Sequence, residues 1–185
     1  MSADAVSPWI ARFAHLIEPG ASVLDVASGH GRHARHLASR GARVLAVDRD
    51  TAALAALAGT PGVETRLADL ENAPWPFDRR TFDAVVVTRY LHRALFPALI
   101  GAVSPEGLLL YETFAIGNEQ YGRPRNPDFL LAPGELLDVV RGRLSVLAFE
   151  EGLTVGEKPS VLQRIAAVGL SRQRPVAFID RSFAS

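Results

Sequence analysis

Short apolar runs alternate along the chain with stretches of helical period, and that alternation predicts an α/β fold. After Ser7 and Pro8, a cap followed by proline at a first helical position, Trp9, Ile10, Phe13, Leu16 and Ile17 recur at helical spacing over 8–17. Val23, Leu24 and Val26 form a first strand, and residues 32–40 carry a small apolar helical face. A second strand is expected over 43–48, a helix over 50–58 and a third strand over 63–68. The run 82–88 is apolar nearly throughout, as a strand buried on both faces should be. A helix over 94–103, a turn at 104–107 and a strand over 108–114 follow. Residues 115–133 form a long irregular loop, 135–140 a short helix, and 144–150 with 161–168 two closing strands. The tail from 171 to 185 carries no assignment.

Between the first strand and the helix after it lies a turn of small residues, Ala27, Ser28, Gly29, His30 and Gly31. A strand running through glycines into a helix gathers free backbone N–H groups and the positive end of a helix dipole at one spot. Glycine there lets a ligand approach the backbone without a Cβ in the way. Asp48 closes the second strand about 20 residues further on, where an acid meets a ribose in nucleotide-binding sheets.

Two families share this arrangement. Gly29, Gly31 and Ala34 satisfy a relaxed dinucleotide pattern. Asp25, Ala27, Gly29 and Gly31, each one residue apart, also resemble motif I of class I S-adenosylmethionine-dependent methyltransferases, with alanine at the usual first glycine. Asp25 separates the two, because a carboxylate at the end of a buried strand needs a positive partner. The cofactor's ammonium group is such a partner, whereas a pyrophosphate would be repelled. The resemblance spans about residues 20–170, and in its small size the chain looks like the compact tellurite-resistance and thiopurine methyltransferases.

That resemblance implies a Rossmann-like doubly wound sheet of seven strands, mostly parallel, with a carboxyl-terminal antiparallel hairpin. It implies one methyltransferase domain over 1–185, with 1–19 as an N-terminal helical segment. It implies S-adenosyl-L-methionine as cofactor, with Asp48 on the ribose, Asp69 on the adenine amino group and Leu70 packed on the ring. Ala27, Gly29, His30, Gly31, Arg49, Thr88 and Arg89 complete the expected cofactor contacts. Around the expected methyl position stand His92, Tyr90 and Glu112 as candidate bases, His92 being the most suitable by intrinsic pKa. Tyr121, Arg123 and Arg125 in the long loop are candidates for a lid or for an anionic acceptor.

Composition narrows the rest. In 185 residues there are 20 basic and 20 acidic side chains, so no global charge draws the chain to nucleic acid or to an anionic membrane. Cysteine is absent, which excludes disulfides and thiolate metal sites. His30, His33 and His36 invite a metal, but residues three and six apart on a helix rotate by roughly 300° and 600° and do not converge; no metal is expected. No secretory leader or membrane span is evident. A cytoplasmic monomer or homodimer acting on a small molecule is expected. Two other readings stay open: a small NAD-dependent oxidoreductase, and a module that binds S-adenosylmethionine without turning it over. Against the first, Lys158 is the one lysine, with Thr154 where a Tyr-x-x-x-Lys pair would need tyrosine.

Overall fold

The structure is a computed structural model that describes residues 5–156 and 158–173. The expected N-terminal segment and tail therefore extend outside the described residues at 1–4 and 174–185. Seven strands, β1 (Ser22–Val26), β2 (Arg43–Asp48), β3 (Val63–Leu67), β4 (Phe82–Thr88), β5 (Val103–Phe114), β6 (Leu144–Leu153) and β7 (Val161–Gly169), form one sheet. Their order is β3-β2-β1-β4-β5-β7-β6. β1 to β5 pair in parallel, while β7 inserts antiparallel between β5 and β6. The chain winds outward from β1 in one direction and resumes at β4 in the other. The boundary between β1 and β4 is therefore the switch point at which open α/β sheets bind ligands.

Helices cover both faces. α1 (Pro8–Phe13) and α2 (Arg32–Ser39) lie on one face, where Trp9, Phe13 and Leu37 pack with Val23, Val44, Leu110 and Ala166. α4 (Phe96–Gly101) and α5 (Glu135–Val140) lie on the other, where Leu99, Leu136 and Val140 meet Leu24, Val85, Tyr111 and Ile165. α3 (Thr51–Ala55) follows β2, capped by Asp50, whose carboxylate accepts the Ala52 and Ala53 N–H groups. β1 and β4 are buried along nearly their whole length because both faces are covered, which is why they read as apolar runs. Trp9 and Phe13 are 2% and 1% exposed, so α1 seals a sheet face. Burying each such aromatic stabilises the fold by about 1.5–3 kcal/mol.

Several boundaries differ from the sequence expectation. The first helix stops at Phe13 and tightens into a 3-10 turn over Ala14–Leu16. Glu18 precedes Pro19, and a residue before proline is pushed out of the helical region. The helix expected over 94–103 is instead a 3-10 turn at Arg93–Leu95 followed by α4. Val103 already pairs with Phe82, so Ser104 to Gly107 form an irregularity inside β5 and not a separate turn. Residues 115–133 are anchored as well as irregular. Buried Asn118 donates to the Pro124 carbonyl and accepts the Val161 N–H. Arg93 donates to the carbonyls of Asp128 and Leu130 and pairs with Glu135 at 2.8 Å. Among the described residues no helix is long and apolar enough to cross a membrane.

Gly31 caps α2 with φ of 71°, and a Cβ built on it would lie 2.3 Å from a methyl of buried Leu57. Gly31→Ala adds left-handed strain to overpacking and is expected to lower stability by about 2–4 kcal/mol. Urea denaturation measures it; a loss under about 1 kcal/mol would contradict this packing.

Candidate active site

The turn from β1 to α2 is tied to the end of β2. The Ser28 N–H donates to the Val47 carbonyl, and the Gly29 N–H donates to Asp48 Oδ2 at 2.7 Å. Asp48 Oδ1 accepts the Asp50 N–H at 2.9 Å. A carboxylate offers about four lone-pair sites, so two hydrogen bonds leave about two unused. Ala27 has φ of 51°, a left-handed conformation that costs a non-glycine residue about 1–2 kcal/mol. A Cβ on Gly29 would meet nothing within 4 Å, so the backbone there faces open space.

Beside this turn is a cavity of about 110 Å³ at the carboxyl ends of β1 to β4. Ala27, Asp48 and Arg49 line it together with Ala68, Asp69, Leu70, Glu71 and Tyr90. The sheet thus brings six of the sequence candidates to one place: Ala27, Asp48, Arg49, Asp69, Leu70 and Tyr90. Leu70 is buried, while Arg49 is largely exposed and 3.5 Å from Glu71. Asp69 initiates the next turn, accepting the Glu71 and Asn72 N–H groups and the Asn72 amide, and these bonds hold its carboxyl below the usual range. Burial pushes the Tyr90 phenol up to about 12, and its hydroxyl has no hydrogen-bond partner among the described residues. At neutral pH it is a hydrogen-bond donor. A larger cavity of about 390 Å³ lies at the opposite edge, between Ser22, Arg43, Gly62 and Phe82, and no candidate residue reaches it.

A second polar group lies on the α1–α2 face of the same edge. Asp25 is 1% exposed, and neither carboxylate oxygen completes a hydrogen bond among the described residues. Burial raises its pKa to about 7, opposed by the Ala34 N–H and the Arg32 guanidinium. The Ala34 N–H acts through its field without meeting hydrogen-bond geometry. His33, also 1% exposed, accepts the Ser7 N–H at Nε2 and contacts Thr88 Oγ1 through Nδ1, both at 3.2 Å. Burial, then the charges of Arg32, His36 and Arg89, lowers its pKa to about 3. Glu112 lies beside Thr88 in register and pairs with Arg164 at 2.7 Å, close in distance although the Nε–H is not aligned as a hydrogen bond.

Other candidates stand apart. His30 is exposed at the crest of the turn, and Arg89, with φ of 54°, is exposed where β4 ends. His92 is half-buried, and its ring makes no hydrogen bond among the described residues. Tyr121, Arg123 and Arg125 are exposed on the anchored loop. No three ligating side chains gather among the described residues. The sequence reading did not anticipate the role of His33. Its place between Gly31 and Ala34, on the buried side of α2, was the available signal.

Residues 23–106 match a family described as a methyltransferase domain. TehB from Haemophilus influenzae is similar in structure, with a TM-score of 0.73 and 21% identity over 89% of this chain; the chain spans 62% of TehB. An S-adenosylmethionine-dependent methyltransferase from Mesorhizobium loti gives 0.69 and 21% identity over 90% of this chain and 100% of its own. A TehB-like S-adenosylmethionine-dependent methyltransferase from Corynebacterium glutamicum gives 0.63 and 20% identity over 87% and 86%. No curated protein matches in sequence. The fold is thus that of the class I S-adenosylmethionine-dependent methyltransferases. Residues 23–106, which include the turn and the cavity, are the part of the chain that matches the methyltransferase-domain family.

Asp25 generates a pH prediction. Its folded pKa of about 7 exceeds the ordinary 3.8, so its contribution to stability is full below about pH 4 and is lost as pH rises through 7. Asp25→Asn removes that loss while leaving His33 unchanged. Urea denaturation of the free protein should show the variant gaining roughly 2–4 kcal/mol on wild type between pH 4 and pH 8. A difference independent of pH would contradict the shifted carboxyl.

Proposed function

We propose that the chain binds S-adenosylmethionine across the carboxyl ends of β1 to β3 and transfers its methyl group to a small-molecule acceptor. The observation that carries this reading is Asp48, fixed to the Gly29 N–H with lone pairs to spare at the rim of the cavity. Vicinal ribose hydroxyls suit those lone pairs. Leu70 and the Arg49 stem supply apolar surface for a base, and Asp69 and Tyr90 supply polar groups at its edge. The open backbone at Gly29 leaves room for the rest of the cofactor. Asp25 lies beneath the turn with its oxygens shielded, so it favours a cofactor ammonium through its field and not by contact.

When bound, the cofactor supplies a sulfonium methyl whose leaving thioether is neutral. The protein's main task is then alignment and exclusion of water. A base is needed only for an acceptor whose proton is held at high pKa. Tyr90 is protonated at neutral pH and Glu112 is paired with Arg164, so His92 is the side chain left for that role. Tyr121, Arg123 and Arg125 are the proposed acceptor contacts, on a loop held by Asn118 and Arg93. The balance of 20 basic against 20 acidic residues supports a small acceptor over nucleic acid. A monomer or homodimer is part of the same reading.

The activity test is formation of S-adenosylhomocysteine from S-adenosylmethionine across a panel of oxygen, nitrogen, sulfur and metalloid acceptors. Turnover dependent on one acceptor supports the reading. Cofactor binding with no turnover on any would favour a non-catalytic binding module. Asp48→Ala should weaken S-adenosylhomocysteine binding by about 1.5–3 kcal/mol in calorimetry, the worth of charge-assisted hydrogen bonds. Unchanged affinity would remove Asp48 from the ribose.

A further inference from the structure

His33 links three elements at the switch point. Its Nε2 accepts the backbone N–H of Ser7, the cap of α1, and its Nδ1 lies against the hydroxyl of Thr88, the last residue of β4. A backbone N–H can only donate, so Nε2 must carry a lone pair. Burial and neighbouring positive charges keep the ring neutral, and a neutral imidazole has one N–H. That proton is therefore on Nδ1 and is donated to Thr88 Oγ1. The hydroxyl's own hydrogen is then turned away from His33, and it meets no other partner among the described residues. Thr88 is half-buried, next to the end of β1, where Val26 pairs with Val87.

This places an oriented donor at a defined point of the ligand edge. The nucleoside cavity lies over β2 and β3. A cofactor seated there extends past the Ala27–Gly31 turn toward the end of β4. At its amino-acid end the ammonium has no lone pair and the sulfonium's positive charge makes it a poor acceptor, whereas the carboxylate accepts readily. We propose that His33 is a positioning residue, locked in one tautomer by Ser7, which makes the Thr88 hydroxyl a dedicated donor to the carboxylate of the cofactor's amino-acid end. The inference rests on the cofactor reading above.

Two probes that differ only at that end test it. S-adenosylhomocysteine carries the amino-acid end, and 5′-methylthioadenosine keeps the nucleoside and the thioether without it. Thr88→Val should weaken the first by about 10-fold and leave the second unchanged, and Thr88→Ser should restore the first to within about 2-fold. His33→Phe should give the same selective loss, with no further loss in the double variant. Nitrogen-15 NMR of the free wild-type protein supplies a readout that needs no variant: His33 should be the Nδ1–H tautomer and stay neutral down to pH 5. An Nε2–H tautomer, a charged ring at that pH, or equal loss of both probes in Thr88→Val would overturn the proposal. Failure of the wild type to bind either probe would instead sink the cofactor reading, and this inference with it.

Discussion

The hydrogen bond from the Gly29 N–H to Asp48 is the interaction on which the rest of the edge depends. At 2.7 Å it fixes the turn after β1 to the end of β2, two points 19 residues apart in sequence. It holds Gly29 open to a ligand and sets the Asp48 carboxylate at the rim of the cavity. It also stabilises a turn that carries strain, since Ala27 occupies a left-handed conformation without being glycine. A bond between a carboxylate and a backbone N–H is charge-assisted and about twice as strong as a neutral one, which suits it to that load.

Around this anchor, the edge keeps polar groups buried in uncharged or paired states. His33 is neutral, Asp25 is shifted toward neutrality, and Glu112 is paired with Arg164. Each choice avoids the cost of an isolated buried charge. The two titrating groups act in opposite directions. His33 has a lowered pKa and costs stability as pH falls below 6.5, whereas Asp25 has a raised pKa and costs stability as pH rises toward 7. The two contributions oppose each other between about pH 3.8 and 6.5.

Much of the fold was legible because the sheet is covered on both faces. β2 and β4 span the 43–48 and 82–88 that the sequence predicts, and Asp50 caps α3 as its position suggested. The regions that resisted depend on contacts distant in sequence. Val103 joins β5 because it pairs with Phe82, and the helix before it is shortened accordingly. The loop over 115–133 reads as irregular from its glycines and prolines, but its order comes from Asn118 meeting Val161 and from Arg93 reaching Asp128 and Leu130. The same holds at the candidate site. The residues proposed for the nucleoside sit at or just after strand ends and follow from the strand pattern. The partnership of His33 with Ser7 and Thr88 spans 26 and 55 residues, and only its place on the buried side of α2 hints at it.

The most direct test of the central claim is calorimetric titration of the purified protein with S-adenosylhomocysteine and NAD in parallel. The Asp48–Gly29 edge and the small cavity beside it predict micromolar binding of S-adenosylhomocysteine and none of NAD. Binding of NAD alone would contradict the account and return Gly29, Gly31 and Ala34 to the dinucleotide pattern.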